Sequence, residues 1–142
     1  MYYINREQLG ERLRFIPFLQ EACGQLAERW NGTDPLAILA QERVLHLAIE
    51  TVTDVGSLLI DAFMMRDASS YEDIIEILTG EKVFGEEEGR FFQQLVKLRR
   101  PLVQDYARLE RGGLDPLIAE LPARLGSFGR DVEAFIEKEM KM

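Results

Sequence analysis

Apolar side chains recur every three to five residues along the N-terminal stretch, at Ile4, Leu9, Leu13, Ile16, Leu19, Cys23, Leu26 and Trp30. Glu, Arg and Gln fill the gaps, so one face is apolar and the other charged, the pattern of an amphipathic helix. Pro17 lies inside it and predicts a kink or local opening, because proline lacks a backbone donor and its ring crowds the preceding turn. Asn31-Gly32 predicts the end of this helix. Thr33-Asp34-Pro35 predicts a new start, with Asp34 as N-cap and Pro35 as the first helical residue. The set Leu36, Leu39, Ala40, Val44, Leu47 or Ala48, Val52, Val55, Leu58, Leu59 and Phe63 carries the second helix to about Arg66. Such a helix spans roughly 45 Å at ~1.5 Å per residue, and Gly56 is a candidate bend.

Ser69-Ser70-Tyr71-Glu72-Asp73 predicts a third N-terminus, followed by Ile74, Ile75, Ile77 and Leu78 and stopped by Gly80. A linker from Glu81 to Gly85 leads to a charged helix opening with Glu86-Glu87-Glu88, whose negative charge suits a helix N-terminus. Its apolar face is Phe91, Phe92, Leu95, Val96 and Leu98. Pro101 is expected to break this pattern, with helix resuming over Leu102 to Leu109. Gly112-Gly113 reads as a turn, and Asp115-Pro116 repeats the cap-plus-proline start. The last helix is expected to reach about Met140 with interruptions near Pro122 and Gly126. No strand-type alternation, internal repeat, low-complexity tract or linker between domains is found. The pattern therefore predicts an all-α bundle of about five helices, with residues 1–142 forming a single domain.

Composition changes this picture only by exclusion. The 142 residues are 46% hydrophobic and 30% charged, which argues against a disordered chain. With 25 acidic and 17 basic residues the net charge is −8, so bulk charge does not draw the chain to nucleic acid, and any such contact needs a local basic patch. The single cysteine, Cys23, excludes an intramolecular disulfide and every multi-cysteine zinc site. On the apolar stripe it reads as a small core residue. No transmembrane helix is expected, for want of a long apolar run. The N-terminus is mixed and charged, unlike a signal peptide, which points to a cytoplasmic protein.

The candidate chemistry is sparse. His46, the one histidine, precedes Glu50 by four residues, so the two are neighbours on one helix face. The pair reads either as a general base oriented by a carboxylate or as a histidine at the edge of a buried stripe. Arg43, His46, Glu50, Asp54, Ser57 and Asp61 trace a polar stripe, either a solvent face or the wall of a cleft. Glu50 and Asp54 could also hold a divalent cation. Lys97-Leu98-Arg99-Arg100 is the one notable basic cluster. It suits a helix C-terminus, and equally a phosphate, which the forked guanidinium of arginine fits.

The segment Leu98-Arg99-Arg100-Pro101-Leu102-Val103-Gln104-Asp105-Tyr106 resembles the signature of the HepT-like HEPN family, Arg-Asn-x-Leu-Val-His-x-Tyr, which contains R-x-x-x-x-H. Gln41 to Gly56 is similar to the family's second helix, and Ser70 to Leu78 to its S-Y-x-D…L helix. The resemblance runs over about residues 5 to 137. It implies a bundle of four to five helices, a homodimer, and kinship with metal-independent ribonucleases. Many of these are toxins paired with a small nucleotidyltransferase antitoxin that can adenylylate the motif tyrosine. No cofactor or metal is implied. By position, Arg99 matches the family arginine, Tyr106 the motif tyrosine, and Asp54 an acidic position of the second helix.

One departure matters most. Gln104 stands where the family has its catalytic histidine, and Arg100 where it has asparagine. Histidine exchanges a proton near neutral pH, and glutamine does not. The expectation is a catalytically degenerate homodimer that binds a nucleotide, RNA or a protein partner around Lys97, Arg99, Arg100, Gln104, Tyr106 and Asp54. Two alternatives stand beside it. One is an active ribonuclease toxin with His46 or Asp105 as base. The other is a structural interaction module without a nucleotide site. Tyr2, Tyr3, Phe91 and Phe92 are counted as exposed aromatics that favour a dimer.

Overall fold

Residues 2–141 are described by the structure, a computed structural model. Six α-helices account for most of them: α1 (Arg6–Arg29), α2 (Pro35–Ala62), α3 (Tyr71–Gly80), α4 (Glu86–Lys97), α5 (Arg99–Val103) and α6 (Leu117–Met140), with one 3-10 turn at Tyr106–Arg108. Among the described residues there is no strand. Counting the five-residue α5 as a terminal turn of α4, this is the five-helix bundle that the periodicity predicts.

The helix starts lie where the capping residues put them. The Gln8 N–H donates to Asn5 Oδ1 (3.1 Å), the Leu36 N–H to Asp34 Oδ1 (2.9 Å), the Asp73 N–H to Ser70 Oγ (3.0 Å) and the Leu117 N–H to Asp115 Oδ1 (2.9 Å). Each satisfies a backbone donor that has no partner within its helix. Asp73 does more than continue α3. Its carboxylate takes both guanidinium nitrogens of Arg66 (2.8 and 2.7 Å) and the Ser69 N–H (2.9 Å), which hold it well below the usual carboxylate range.

α2 is the axis of the fold. It lies against α1, α3, α4 and α5, and α6 closes the bundle against α1 and α4. Ala48, Ile49, Val52, Val55 and Leu59 are wholly buried along α2. Leu19 and Cys23 of α1 and Leu121, Leu125, Phe128 and Val132 of α6 meet them in one continuous core. Burial pushes the Cys23 thiol up to about 11, so the sulfur is a neutral core group. Gly56 is a close approach: a Cβ there would lie 2.6 Å from Ile74 Cγ2 on α3. Arg124 of α6 reaches the carboxylates of Glu87 and Glu88 on α4 and lies 5.3 Å above the Phe91 ring, tying the two helices together at the surface.

The expectations fail at particular points. α2 stops at Ala62, four residues before Arg66, because Met64 takes a left-handed backbone (φ 56°) and turns the chain. α6 runs unbroken through Pro122 and Gly126. Its stripe Ile118, Leu121, Leu125, Phe128, Val132 and Ile136 is buried at helical spacing and outweighs one missing backbone bond. The Pro122 carbonyl also accepts from Gln20 Nε2 (2.8 Å), a bond that ties α6 to α1. Pro17 likewise sits within an unbroken α1. Helix does not resume over Leu102 to Leu109: α5 ends at Val103 and a turn follows. Phe91 and Phe92 are core residues, 5% and 0% exposed, in edge-to-face contact with each other and, for Phe92, with Phe128. They give no support to a dimer. Tyr2 packs on Phe63 with ring centroids 4.9 Å apart, and Tyr3 alone of the four is largely exposed.

Candidate functional site

The motif segment is built by the junction of α4 and α5. Pro101 cannot donate to the Lys97 carbonyl, so α4 closes at Leu98 and α5 begins afresh. Pro101 then sits in the first turn of α5, where its missing N–H costs nothing. At the other end the Gln104 and Asp105 N–H groups both donate to the Arg100 carbonyl (2.8 and 3.1 Å). This tight closure throws Gln104 and Asp105 into a turn and leaves Tyr106 on a 3-10 turn, 60% exposed.

Arg99 is the anchored member of the segment. Its guanidinium carbon lies 4.1 Å from the centroid of the Tyr71 ring, at the N-terminus of α3. Its Nε is buried and has no hydrogen-bond partner. A cation on an aromatic face contributes about 0.5–2 kcal/mol depending on burial, enough to fix the side chain without occupying its terminal nitrogens as a carboxylate would. Beyond the ring, the Tyr71 hydroxyl stands 3.5 Å from Glu50 Oε1 and donates toward it. Burial, with the Glu50 carboxylate, pushes the Tyr71 hydroxyl up, against the opposing pull of Arg99. Glu50 in turn lies 3.9 Å from His46 Nε2, and its second oxygen is buried without a partner. Arg99, Tyr71, Glu50 and His46 therefore form a continuous line from α5 to the middle of α2.

The other sequence candidates are placed differently. Lys97 and Arg100 flank Arg99 but point outward, exposed, with Arg100 Nε 4.0 Å from Asp105. Asp54 lies farther along α2 and faces α1, where it accepts from Arg12 Nε (3.4 Å) at the surface. Glu50 and Asp54 line one shallow groove with Glu11, Arg12 and Phe15. Among the described residues no three His, Cys, Asp or Glu side chains gather as a metal site. Gln104 is exposed beside Asp105. The polar stripe of α2 is graded: Arg43, Asp54, Ser57 and Asp61 are exposed, while His46 and Glu50 are half-buried.

Tyr71 is the participant that the pattern did not single out. It reads as an ordinary first residue of α3, and only its place within the S-Y-x-D stretch hinted at more. Arg111 was missed as well. It pairs with Glu42 of α2 through two bonds (2.8 and 3.1 Å) and donates to the Tyr106 carbonyl (2.8 Å). The segment is thus held to α2 at both ends, through Tyr71 near Arg99 and through Arg111 near Tyr106.

A helical bundle of this arrangement is that of HEPN toxins. The tri-AMPylated Shewanella oneidensis HEPN toxin, solved in complex with its MNT antitoxin, superposes with a TM-score of 0.75 over 89% of this chain and 96% of its own, at 14% identity. That likeness shows the fold. The chain belongs to the HepT-like ribonuclease family, whose model matches residues 13–125. It is similar to the candidate RNase YutE of Bacillus subtilis (strain 168), 35% identical over 140 residues, covering 99% of this chain and 95% of YutE. The solved structure of YutE, described as a cytosolic protein of unknown function, superposes with a TM-score of 0.84 at 33% identity, covering 98% of this chain and 95% of that one. Among the described residues no helix is long and apolar enough to cross a membrane.

Proposed function

We propose that this chain is a HepT-like HEPN protein that binds the phosphate of an RNA or nucleotide at the Arg99–Tyr106 segment and lacks the family's histidine-based cleavage. The observation that carries this reading is Arg99. It is held on the Tyr71 ring at 4.1 Å, and among the described residues no carboxylate is within salt-bridge distance of it. A guanidinium so placed offers its outer N–H fork to phosphate. Gln104, exposed on the following turn, can hydrogen-bond a ligand oxygen but cannot carry its proton. Lys97 and Arg100 add positive charge beside Arg99 on a chain that is otherwise acidic.

The reading includes a homodimer in the cytoplasm. Phe18, 62% exposed and stacked on Phe15 at 5.6 Å, with exposed Leu36 and Leu39 on α2, supports an apolar contact surface. It also includes a nucleotidyltransferase-type partner, supported by the MNT antitoxin bound to the Shewanella toxin. Tyr106, with its ring exposed, is the acceptor position such a partner would adenylylate. The test is binding of a fluorescent single-stranded RNA by fluorescence anisotropy, comparing the native protein with Arg99→Ala and Arg99→Lys. Loss of about tenfold or more in Arg99→Ala, recovered only in part by lysine, is expected, since lysine lacks the planar fork. Equal affinity in all three contradicts the reading.

A further inference from the structure

The line of contacts from Arg99 through Tyr71 and Glu50 ends on His46, the one histidine of the chain. Glu42, His46 and Glu50 follow one another at intervals of four on α2, so their side chains share one face. Glu42 holds Arg111, which donates to the Tyr106 carbonyl. Glu50 meets the Tyr71 hydroxyl, and the Tyr71 ring carries Arg99. The two ends of the stripe thus hold the two ends of the motif segment, and His46 lies between them.

The charges around His46 are unevenly matched. Glu42 is neutralised by Arg111. Glu50 has one oxygen toward Tyr71 and His46 and another buried with no partner. With a neutral imidazole, the Glu50 anion opposes any phosphate approaching Arg99. With a protonated imidazole 3.9 Å away, it does not.

We propose that His46 is a positioning residue that acts on the Arg99 site through Glu50, so that the site takes a phosphodiester most tightly when the imidazole is protonated. This rests on the reading of Arg99 given above. The other charged groups that bear on it are Arg43 on α2, Tyr71 on α3, Arg99 on α5, Arg111 beyond the 3-10 turn, and Glu11 and Arg12 of α1 with Asp54 along the groove that Glu50 lines. Imidazole is the side chain among these that ordinarily changes charge between about pH 5 and 8. Binding should therefore tighten as pH falls through that range.

The probe is a fluorescent oligouridylate without terminal phosphates, whose backbone charge is constant over this range. Its affinity is measured by anisotropy at about pH 5.5 and about pH 8, at fixed ionic strength. The native protein should bind roughly three- to tenfold more tightly at the lower pH, the size of one partly screened charge. His46→Gln should lose this pH dependence and bind weakly at both values. His46→Lys, charged throughout, should bind tightly at both. Glu50→Gln should raise affinity at the higher pH. A native pH dependence that survives in His46→Gln, or none in the native protein, overturns the proposal. Undiminished binding by Arg99→Ala overturns the reading of the site itself, and the proposal with it.

Discussion

Gly56 offers a test of how the fold positions the site. In a helix interior alanine is favoured over glycine by about 1 kcal/mol, so Gly56→Ala would stabilise an exposed helix. Here a Cβ would lie 2.6 Å from Ile74 Cγ2 and 3.0 Å from Leu78 Cδ1. Carbon atoms rest comfortably at about 3.5–4.0 Å, so α3 must retreat by about 1 Å. Ile74 Cγ2 is fixed to a branched carbon, and Leu78 is wholly buried, so neither can swing aside. Overpacking of this kind costs about 1–3 kcal/mol. Set against the propensity gain, the net destabilisation reaches about 2 kcal/mol, roughly 4–8 °C in Tm. α3 also carries Tyr71 at its first position, so its retreat draws the ring from beneath Arg99, and RNA affinity should fall along with stability. Urea unfolding and RNA anisotropy on the same variant check both. Ile74→Leu removes the offending branch, and Gly56→Ala with Ile74→Leu should regain part of each loss. A rise in unfolding midpoint for Gly56→Ala alone would refute the reasoning.

Two further outcomes follow from the same contacts. Tyr71→Phe keeps the ring under Arg99 and should leave RNA affinity nearly unchanged, whereas Tyr71→Leu removes a cation–aromatic contact of about 1–2 kcal/mol and should weaken binding about five- to thirtyfold; equal effects in an anisotropy titration would show that the ring is not the platform. Cys23, raised to about 11 by burial, stays protonated when folded while the unfolded thiol ionises from its ordinary range upward, so stability is fully present below about pH 8.5 and declines as pH rises toward 11. Urea midpoints across that range should fall in the native protein and hold more nearly level in Cys23→Ala.

Much of the fold was legible because it rests on local rules. Asp34, Ser70 and Asp115 each accept a first-turn N–H, and apolar spacing in α1, in α4 and in α2 from Val44 onward matches the buried faces, whereas Leu36, Leu39 and Ala40 at the start of α2 are exposed. The errors differ in cause. Pro122 and Gly126 were weighed by what they do to an isolated helix, whereas packing along a whole buried stripe decides. Met64 was invisible as a stop because a left-handed turn at methionine has no sequence signal. Phe91 and Phe92 looked surplus only because the core they complete, with Phe84 and Phe128, comes from distant segments. The site divides in the same way. Arg99, Gln104 and Tyr106 form one contiguous motif and could be read. Tyr71, Glu42 and Arg111 act across 21 to 69 residues of sequence, and no periodicity connects them.

The central claim is that the site is intact except for a proton carrier. It is tested most directly by metal-free cleavage of a fluorogenic RNA by the native protein, Gln104→His, and Gln104→His combined with Arg99→Ala. The account predicts no cleavage by the native protein, cleavage gained with Gln104→His, and its loss again when Arg99 is removed. Cleavage by the native protein, or none gained with Gln104→His, would contradict it.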